Sequence, residues 1–465
     1  MSKHKKNRNS FSGSLGFVLA AAGSAVGLGN IWRFPYLAAR NGGGVFLMVY
    51  IILAITFGFT LLITEVAIGR RSQQGPLTAY KFFNKKWAFI GFLSFVIPSI
   101  IYPYYCVIGG WVLKYCMQYL LFQGDEAVKE GFFSDFITQQ WAPIGYTLFF
   151  AAMCFLVVYS GVEKGIEKFS KIVMPLLLFL VIFICIYSLF IENTDANGVT
   201  RTGLEGAAVY LIPNFEGITL TKFLKITMDA CSQLFYSLSI AMGIMVTYGS
   251  YMKKDVNLGQ AVDRIEICDT VIALLAGLMI IPAVYVFMGT EGMGAGPGLI
   301  FVALPKIFQS LGAFGPFLGI AFFLLVLFAA STSAVSILEA CVSSVMDAFH
   351  WSRTKAICIM QGGALISSII VCLGYNVFYF EYELPNGAVA QILDIFDYVS
   401  NNLMMPILAI LTCILFGWIA KPKLLVGEIR MNGYPFRRKT MYIIMLKYIV
   451  PILLTILLIG AFGLY

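Results

Sequence analysis

Apolar runs long enough to cross a bilayer begin near residues 13, 42, 87, 141, 166, 222, 258, 314, 353, 386 and 440, about eleven spans in all. The polar segments between them sort by charge. If Lys3, Lys5, Lys6 and Arg8 face the cytoplasm, so do Arg70, Arg71, Lys85, Lys86, Lys164, Lys168, Lys171, Lys253, Lys254, Arg353, Lys355 and the basic stretch 421–439. The opposite loops carry Asp125, Glu126, Glu130, Asp135, Glu192, Asp195, Glu381 and Glu383. This asymmetry follows the positive-inside rule. It predicts a multi-pass protein of the cell membrane with its N-terminus in the cytoplasm. An odd number of spans then leaves Tyr465 on the extracellular side. A basic start followed by an apolar run also suits a signal peptide, but the next span follows within about 15 residues, which favours a true first span.

Two of the runs are interrupted. The first reads AAAGSAVGLGNIWRFP and sets Gly23, Gly27, Gly29, Asn30, Arg33 and Pro35 at membrane depth. Glycine and proline free backbone groups that hydrocarbon cannot satisfy, so such a stretch survives only inside protein or beside a cavity. The sixth run is similar: Phe235 and Tyr236 lead into SLSIAMG, with Ser237, Ser239 and Gly243. One glycine-rich site alone would read as close helix packing. Two matched breaks five spans apart are instead the pattern of secondary transporters built from inverted repeats. Unwound carbonyls and helix C-termini there attract a cation, and helix N-termini attract a carboxylate.

Composition agrees with the membrane reading. Hydrophobic residues make up 59% of the 465 and charged ones 12%, with a mean hydropathy of +0.84. A soluble protein carries about 25% charged residues, so this chain must turn much of its surface to lipid. The net charge of +8 sits in loops on one side and does not point to nucleic acid. The ten cysteines lie singly in apolar segments as small filler, and His4 and His350 are the only histidines. No nucleophile–base set, phosphate loop or metal cluster suggests a membrane enzyme. A channel would want a repeated pore motif instead of an occluded site.

The run GSAVGLGNIWRFPYLAARNGGGVF, together with GVEKGIEKFSKIVMP, QLFYSLSIAMG and AASTSAVSI, resembles the neurotransmitter:sodium symporter family from residue 8 to about 418. The resemblance implies an all-α membrane protein of the LeuT type, with 5+5 inverted repeats and discontinuous helices one and six. Repeat one then covers about 13–190, repeat two about 222–418 and an extra helix about 440–463, in one transporter domain over 1–465. It further implies two sodium sites. The first takes the Ala25 carbonyl, Asn30, Ser237 and a residue of span seven, with the substrate carboxylate. The second takes the carbonyls of Gly23, Val26 and Ala329 and the hydroxyls of Thr332 and Ser333. Read alone, those two hydroxyls would bond to their own helix. In span seven, IEICDTVIALLAG presents Asp269 and then Ala273 where familiar members have asparagine and a chloride-binding serine; Cys268 is one register step away. A midplane carboxylate needs a cation. Asp269 is therefore expected to ligate the first sodium and to supply the charge that chloride gives elsewhere, so no chloride requirement is expected.

The resemblance also shapes the ligand. Monoamine carriers of the family place an aspartate where Gly27 stands, so this chain suits a substrate that brings its own carboxylate, held by the Leu28 and Gly29 amides and by Tyr105. Trp111 fixes Tyr105, not Tyr104, as that tyrosine. Ile101, Tyr236, Ser239, Met242, Ser333 and Ile337 complete a mainly apolar pocket, suited to a neutral hydrophobic or aromatic L-amino acid. Another small carboxylate-bearing amine is the alternative. Tyr236 and Met242 stand where phenylalanine is common, and the Tyr236 hydroxyl is expected to find a backbone partner in preference to a polar substrate tip. Arg33 with Asp397 matches the external gate pair, Asp394 being the competing partner, and Arg8 with Asp347, supported by Tyr251, matches the internal one. Phe11 replaces a tryptophan usual beside Arg8. Gly165 and Pro175 keep the family's G-x9-P spacing, which lets span five unwind at its cytoplasmic end.

Overall fold

A computed structural model describes residues 10–194, 198–289 and 299–463. Among the described residues nine helices are long and apolar enough to cross a membrane, and the bent pair Ser14–Ala25 and Gly29–Arg40 makes a tenth span. The eleventh is divided: Leu220–Ser237 and Ile244–Ser250 are separated by six unwound residues, 238–243. The unbroken spans are Gly44–Ser72, Lys85–Leu120, Ala142–Tyr159, Val162–Leu189, Leu258–Met288, Gly312–Phe349, Arg353–Leu373, Ile392–Ile419 and Lys439–Ala461. In chain order these are spans two to five and seven to eleven.

The predicted starts hold within a few residues, with one exception. The tenth span begins at Ile392, not near 386, because Tyr382–Glu383 and Val389–Ala390 pair as a short antiparallel hairpin and Gln391 then caps the helix. A second hairpin pairs Glu192–Thr194 with Thr200–Thr202 before the short helix Gly203–Leu211. Short helices Phe132–Thr138, Leu304–Ser310 and Lys423–Ile429 lie in the connections.

Burial orders the bundle. In the most apolar stretch of span two, 72% of residues are inside the protein, against 22% in span eleven, so span two is central and span eleven peripheral. Between helices in lipid there is little hydrophobic drive, and close backbone approach must do that work. Spans two and six show it: a Cβ on Gly69 would fall 1.9 Å from the Val246 carbonyl oxygen, and one on Gly249 2.3 Å from that of Val66. Each glycine admits the other helix's backbone. Buried charges are paired, Arg70 with Glu428 at 2.9 Å and Arg353 with Glu339 at 2.5 Å, as charge in a low-dielectric setting requires.

Candidate functional site

The two breaks face each other. Span one is helical to Ala25, Val26 leaves the helix at ψ 85°, and the chain resumes at Gly29 after a 49° bend. In span six Ser239, Ala241 and Gly243 have φ of 53°, 59° and 70°. The left-handed region costs a non-glycine residue about 1–2 kcal/mol, so Ser239 and Ala241 must be held there by contacts. Two are evident. The Glu65 carboxylate of span two accepts the Ala241 N–H at 2.7 Å, and the Ser239 hydroxyl donates to the Ser24 carbonyl at 3.0 Å. The intramembrane Glu65 thus splints the unwound segment, a role the sequence reading missed.

Between the breaks lies a narrow cavity. Ala25, Leu28, Gly29, Ile101, Tyr105, Tyr236, Ser237, Ser239, Met242, Ser333 and Ile337 all line it, as do Ser24 and Gly27. The Tyr105 hydroxyl lies against the Leu28 amide and the Ser333 hydroxyl, whereas Tyr104 turns away to Asp397 at 3.1 Å. A Cβ on Gly27 would stand 2.4 Å from the Ser333 oxygen and 3.3 Å from that of Tyr105. Glycine is the only residue that fits without displacing them, so this wall of the cavity offers no carboxylate to a ligand amine. The Tyr236 hydroxyl has no hydrogen bond among the described residues, and Arg33 lies over its ring at 6.0 Å. The backbone partner expected for it is absent among the described residues.

Beside the cavity Asp269 is fully buried. Its carboxylate accepts from the Asn30 amide at 2.8 Å and the Ser237 hydroxyl at 2.8 Å, with Tyr50 at 3.5 Å. Ser237 also reaches the Asn30 side-chain oxygen at 3.1 Å. Cys268 points to a half-exposed face, so Asp269 is the span-seven residue at the site. Gln233, unassigned from sequence, donates to the Gly29 carbonyl at 2.9 Å and leaves its own oxygen unpartnered. Among the described residues no lysine or arginine pairs with Asp269. Neutral donors surround a buried carboxylate, and the remaining charge calls for a cation ligated by hard oxygens.

On the other side of span one, the last carbonyls of the helix lack intrahelical donors. The Ser333 hydroxyl donates to the Ser24 carbonyl oxygen at 3.0 Å, so that carbonyl accepts from both span six and span eight. Gly23 meets Thr332, whose Cβ would be 3.6 Å from an added Cβ. Thr332 donates to the Phe328 and Ala329 carbonyls at 3.1 Å each, the local bonds that the plainer reading predicts. A hydroxyl that donates keeps its oxygen lone pairs. Gly23 of span one faces Thr332 of span eight, with the Ser333–Ser24 bond beside it.

The family model for the sodium:neurotransmitter symporter family matches residues 8–124 and 138–464. The chain belongs to that family. Its relatives include the uncharacterized sodium-dependent transporter YhdH of Bacillus subtilis, 33% identical over 97% of both chains. The sodium- and chloride-dependent GABA transporter 2 of Bos taurus is 27% identical over 84% of this chain and 72% of its own. Among solved structures, MhsT in complex with L-phenylalanine matches with a TM-score of 0.84 and 34% identity, over 98% of this chain and 100% of that one. This is a sodium-dependent transporter with the LeuT-type fold.

In this symporter the external gate pair is not joined. Arg33 bonds to the Ser232 hydroxyl at 2.8 Å and its carbonyl at 3.4 Å. Asp397 instead accepts from Tyr104 and from Asn401 at 2.5 Å, so the expected Arg33–Asp397 ion pair is corrected to two separate anchorages. Nearer donors satisfy each charge without bringing spans one and ten together. Asp394 is no rival, since it caps its own helix through the Gln391 N–H at 3.0 Å. Of the expected internal gate, Arg8 lies outside the described residues. Asp347 accepts the Gly75 N–H at 2.5 Å, and Tyr251 donates to Glu339 at 2.7 Å. Phe11 packs edge-on against Phe17, Tyr248 and Tyr251.

A latch escaped the sequence reading. Glu167, in the wide turn Val162–Glu167 that opens span five, accepts from the Ser12 N–H at 2.8 Å and the Ser12 hydroxyl, and pairs with Lys171 at 2.6 Å. Lys253 donates to the Ser12 carbonyl at 2.8 Å. The signal lay in GVEKGIEKF, two residues past Gly165, but an acidic residue at a membrane end has no partner until the fold supplies one.

Proposed function

We propose that this symporter couples sodium to the uptake of a neutral hydrophobic or aromatic L-amino acid, with no requirement for chloride. The single observation that carries the reading is Gly27, where Ser333 and Tyr105 leave no space for a carboxylate side chain, which supports a ligand that brings its own carboxylate. That carboxylate meets the Leu28 and Gly29 amides and the Tyr105 hydroxyl, and its side chain lies along Ile101, Met242 and Ile337. The phenylalanine bound by MhsT supports this ligand class.

Sodium enters as a co-transported substrate. One ion takes Ala25, Asn30, Ser237, Asp269 and the substrate carboxylate; a second takes Gly23, Val26, Ala329, Thr332 and Ser333. Asp269 provides the fixed negative charge within 2.8 Å of Asn30 and Ser237, which removes the need for an anion. Binding would then draw Arg33 and Asp397 together over Tyr236, and release of the Glu167 latch with unwinding between Gly165 and Pro175 would open the cytoplasmic path. We read the two halves, about 13–190 and 222–418, as inverted repeats with the last helix outside them, the N-terminus cytoplasmic and the C-terminus extracellular.

A second ligand reading has its own observation. The Tyr236 hydroxyl, on the cavity wall, offers a hydrogen bond to a polar tip. Proteoliposomes with an inward sodium gradient test both. Competition by all twenty amino acids should favour phenylalanine, leucine or tryptophan, unchanged when gluconate replaces chloride. Strong competition by γ-aminobutyrate or taurine alone would refute the side-chain assignment, and loss of uptake in gluconate would refute the role of Asp269.

A further inference from the structure

Where the end of span ten meets the start of span eleven, one charge has no acid to answer it. Lys447 is the sole charged side chain between Lys439 and Tyr465, and span ten has none after Asp397 until Lys421. Among the described residues Lys447 makes no ion pair. It sits on the peripheral span of the bundle, beside Trp418 and Tyr448, which are 51% and 49% exposed. A charge on such an apolar outer surface is costly unless it finds a partner.

The sequence explains how this lysine is held. Pro451 has no N–H to give the Lys447 carbonyl four residues before it, and the helix widens over Met445–Ile449. The Trp418 indole donates to that carbonyl at 3.2 Å. Its ring then lies under the Lys447 ammonium, with Nζ 5.2 Å from the ring centre, and meets Tyr448 edge-on at 5.4 Å. A lysine that only escapes hydrocarbon extends along its helix toward water. This one stays over an aromatic ring that a hydrogen bond fixes in place.

Charge and shape select the occupant. Lys421 and Lys423, exposed and without an ion pair among the described residues, add positive charge three and five positions beyond Trp418. Basic side chains at the edge of a span attract anionic headgroups. Past Lys447 the exposed surface continues through Tyr448, Ile452 and Ile459, at spacings of four and seven that keep to one helix face. A soluble anion would use the charge and leave that apolar track bare, whereas a charged lipid uses both.

We propose that the junction of spans ten and eleven binds one anionic phospholipid. Its headgroup phosphate takes the Lys447 ammonium above Trp418, and an acyl chain follows Ile452 and Ile459.

The full chain is reconstituted in phosphatidylcholine nanodiscs that carry a minor share of a lipid with a diazirine-bearing acyl chain, phosphatidylglycerol in one arm and phosphatidylcholine in the other. After photolysis the label should map to peptides covering residues 411–419 and 448–459, roughly fivefold more in the phosphatidylglycerol arm, the preference that one lysine gives near an anionic headgroup. Lys447→Gln should bring the two arms level, Lys447→Arg should keep them apart, and Trp418→Leu should narrow the difference. Equal labelling of the two arms in the wild type, or a difference that survives Lys447→Gln, overturns the proposal. A disulfide-linked dimer that forms through Tyr448→Cys at the expense of the label also overturns it, since the face then belongs to a second copy of the chain.

Discussion

Gly27→Ala is the sharpest perturbation of the transport site. The new methyl would stand 2.4 Å from the Ser333 oxygen, so Ser333 must rotate and give up its 3.0 Å bond to the Ser24 carbonyl. That carbonyl keeps its bond from Ser239 at 3.0 Å, which limits the loss to about 1 kcal/mol, the net worth of one hydrogen bond. Crowding against the Tyr105 hydroxyl at 3.3 Å adds about 1 kcal/mol, at the low end for overpacking. Together they weaken ligand binding roughly thirty-fold. Equilibrium binding of tritiated phenylalanine in saturating sodium measures it directly. The decisive comparison is a double-mutant cycle with Ser333→Ala, which removes the oxygen that clashes while leaving a Cβ at an ordinary 3.4 Å. If the geometry governs the cost, Gly27→Ala should be nearly silent in the Ser333→Ala background, with a coupling of about 1 kcal/mol or more. Additive losses, within about 0.5 kcal/mol, would refute the reasoning.

Other expectations follow from contacts elsewhere. Asp269→Asn should raise the sodium concentration for half-maximal uptake roughly tenfold or more and make the remaining uptake respond to chloride, since the buried cluster then lacks its charge; equal uptake in chloride and gluconate with wild-type sodium affinity would count against it. Ala241→Gly should hold or raise the thermal midpoint, worth up to about 1 kcal/mol because the φ of 59° suits glycine, whereas Ala241→Val should lower it. Differential scanning fluorimetry in detergent reads both. Glu167→Gln should loosen the Ser12 latch, seen as faster hydrogen exchange across Ser14–Ala25 and faster labelling of a cysteine introduced beside Ser12. Unchanged exchange there would mean that Phe11 and Lys253 suffice to hold the segment.

The bundle was legible because spanning helices write their length into composition, and a break at Gly27–Gly29 or at Ser237–Gly243 is visible as a violation of it. The late start at Ile392 was not, because hairpin residues such as Tyr382 and Val389 are as apolar as a helix end. Residues of the breaks and their motif partners in span eight could be assigned to the cavity before any geometry. Glu65, Gln233 and Glu167 could not, since each earns its place through a backbone group or serine more than 150 positions away. The Arg33–Asp397 pairing failed for a different reason. A gate has at least two arrangements, and sequence encodes both partners without saying which is populated.

The Ser24 carbonyl has one further consequence. An oxygen with two lone pairs that already serves Ser239 and Ser333 has none left for coordination. It therefore stands as a closed point on span one between Gly23, which meets Thr332, and Ala25, which lines the cavity. Two ions bound there would be insulated from each other by a saturated ligand, so each could be lost on its own schedule, and serine-to-alanine changes on either neighbouring span should blur that partition.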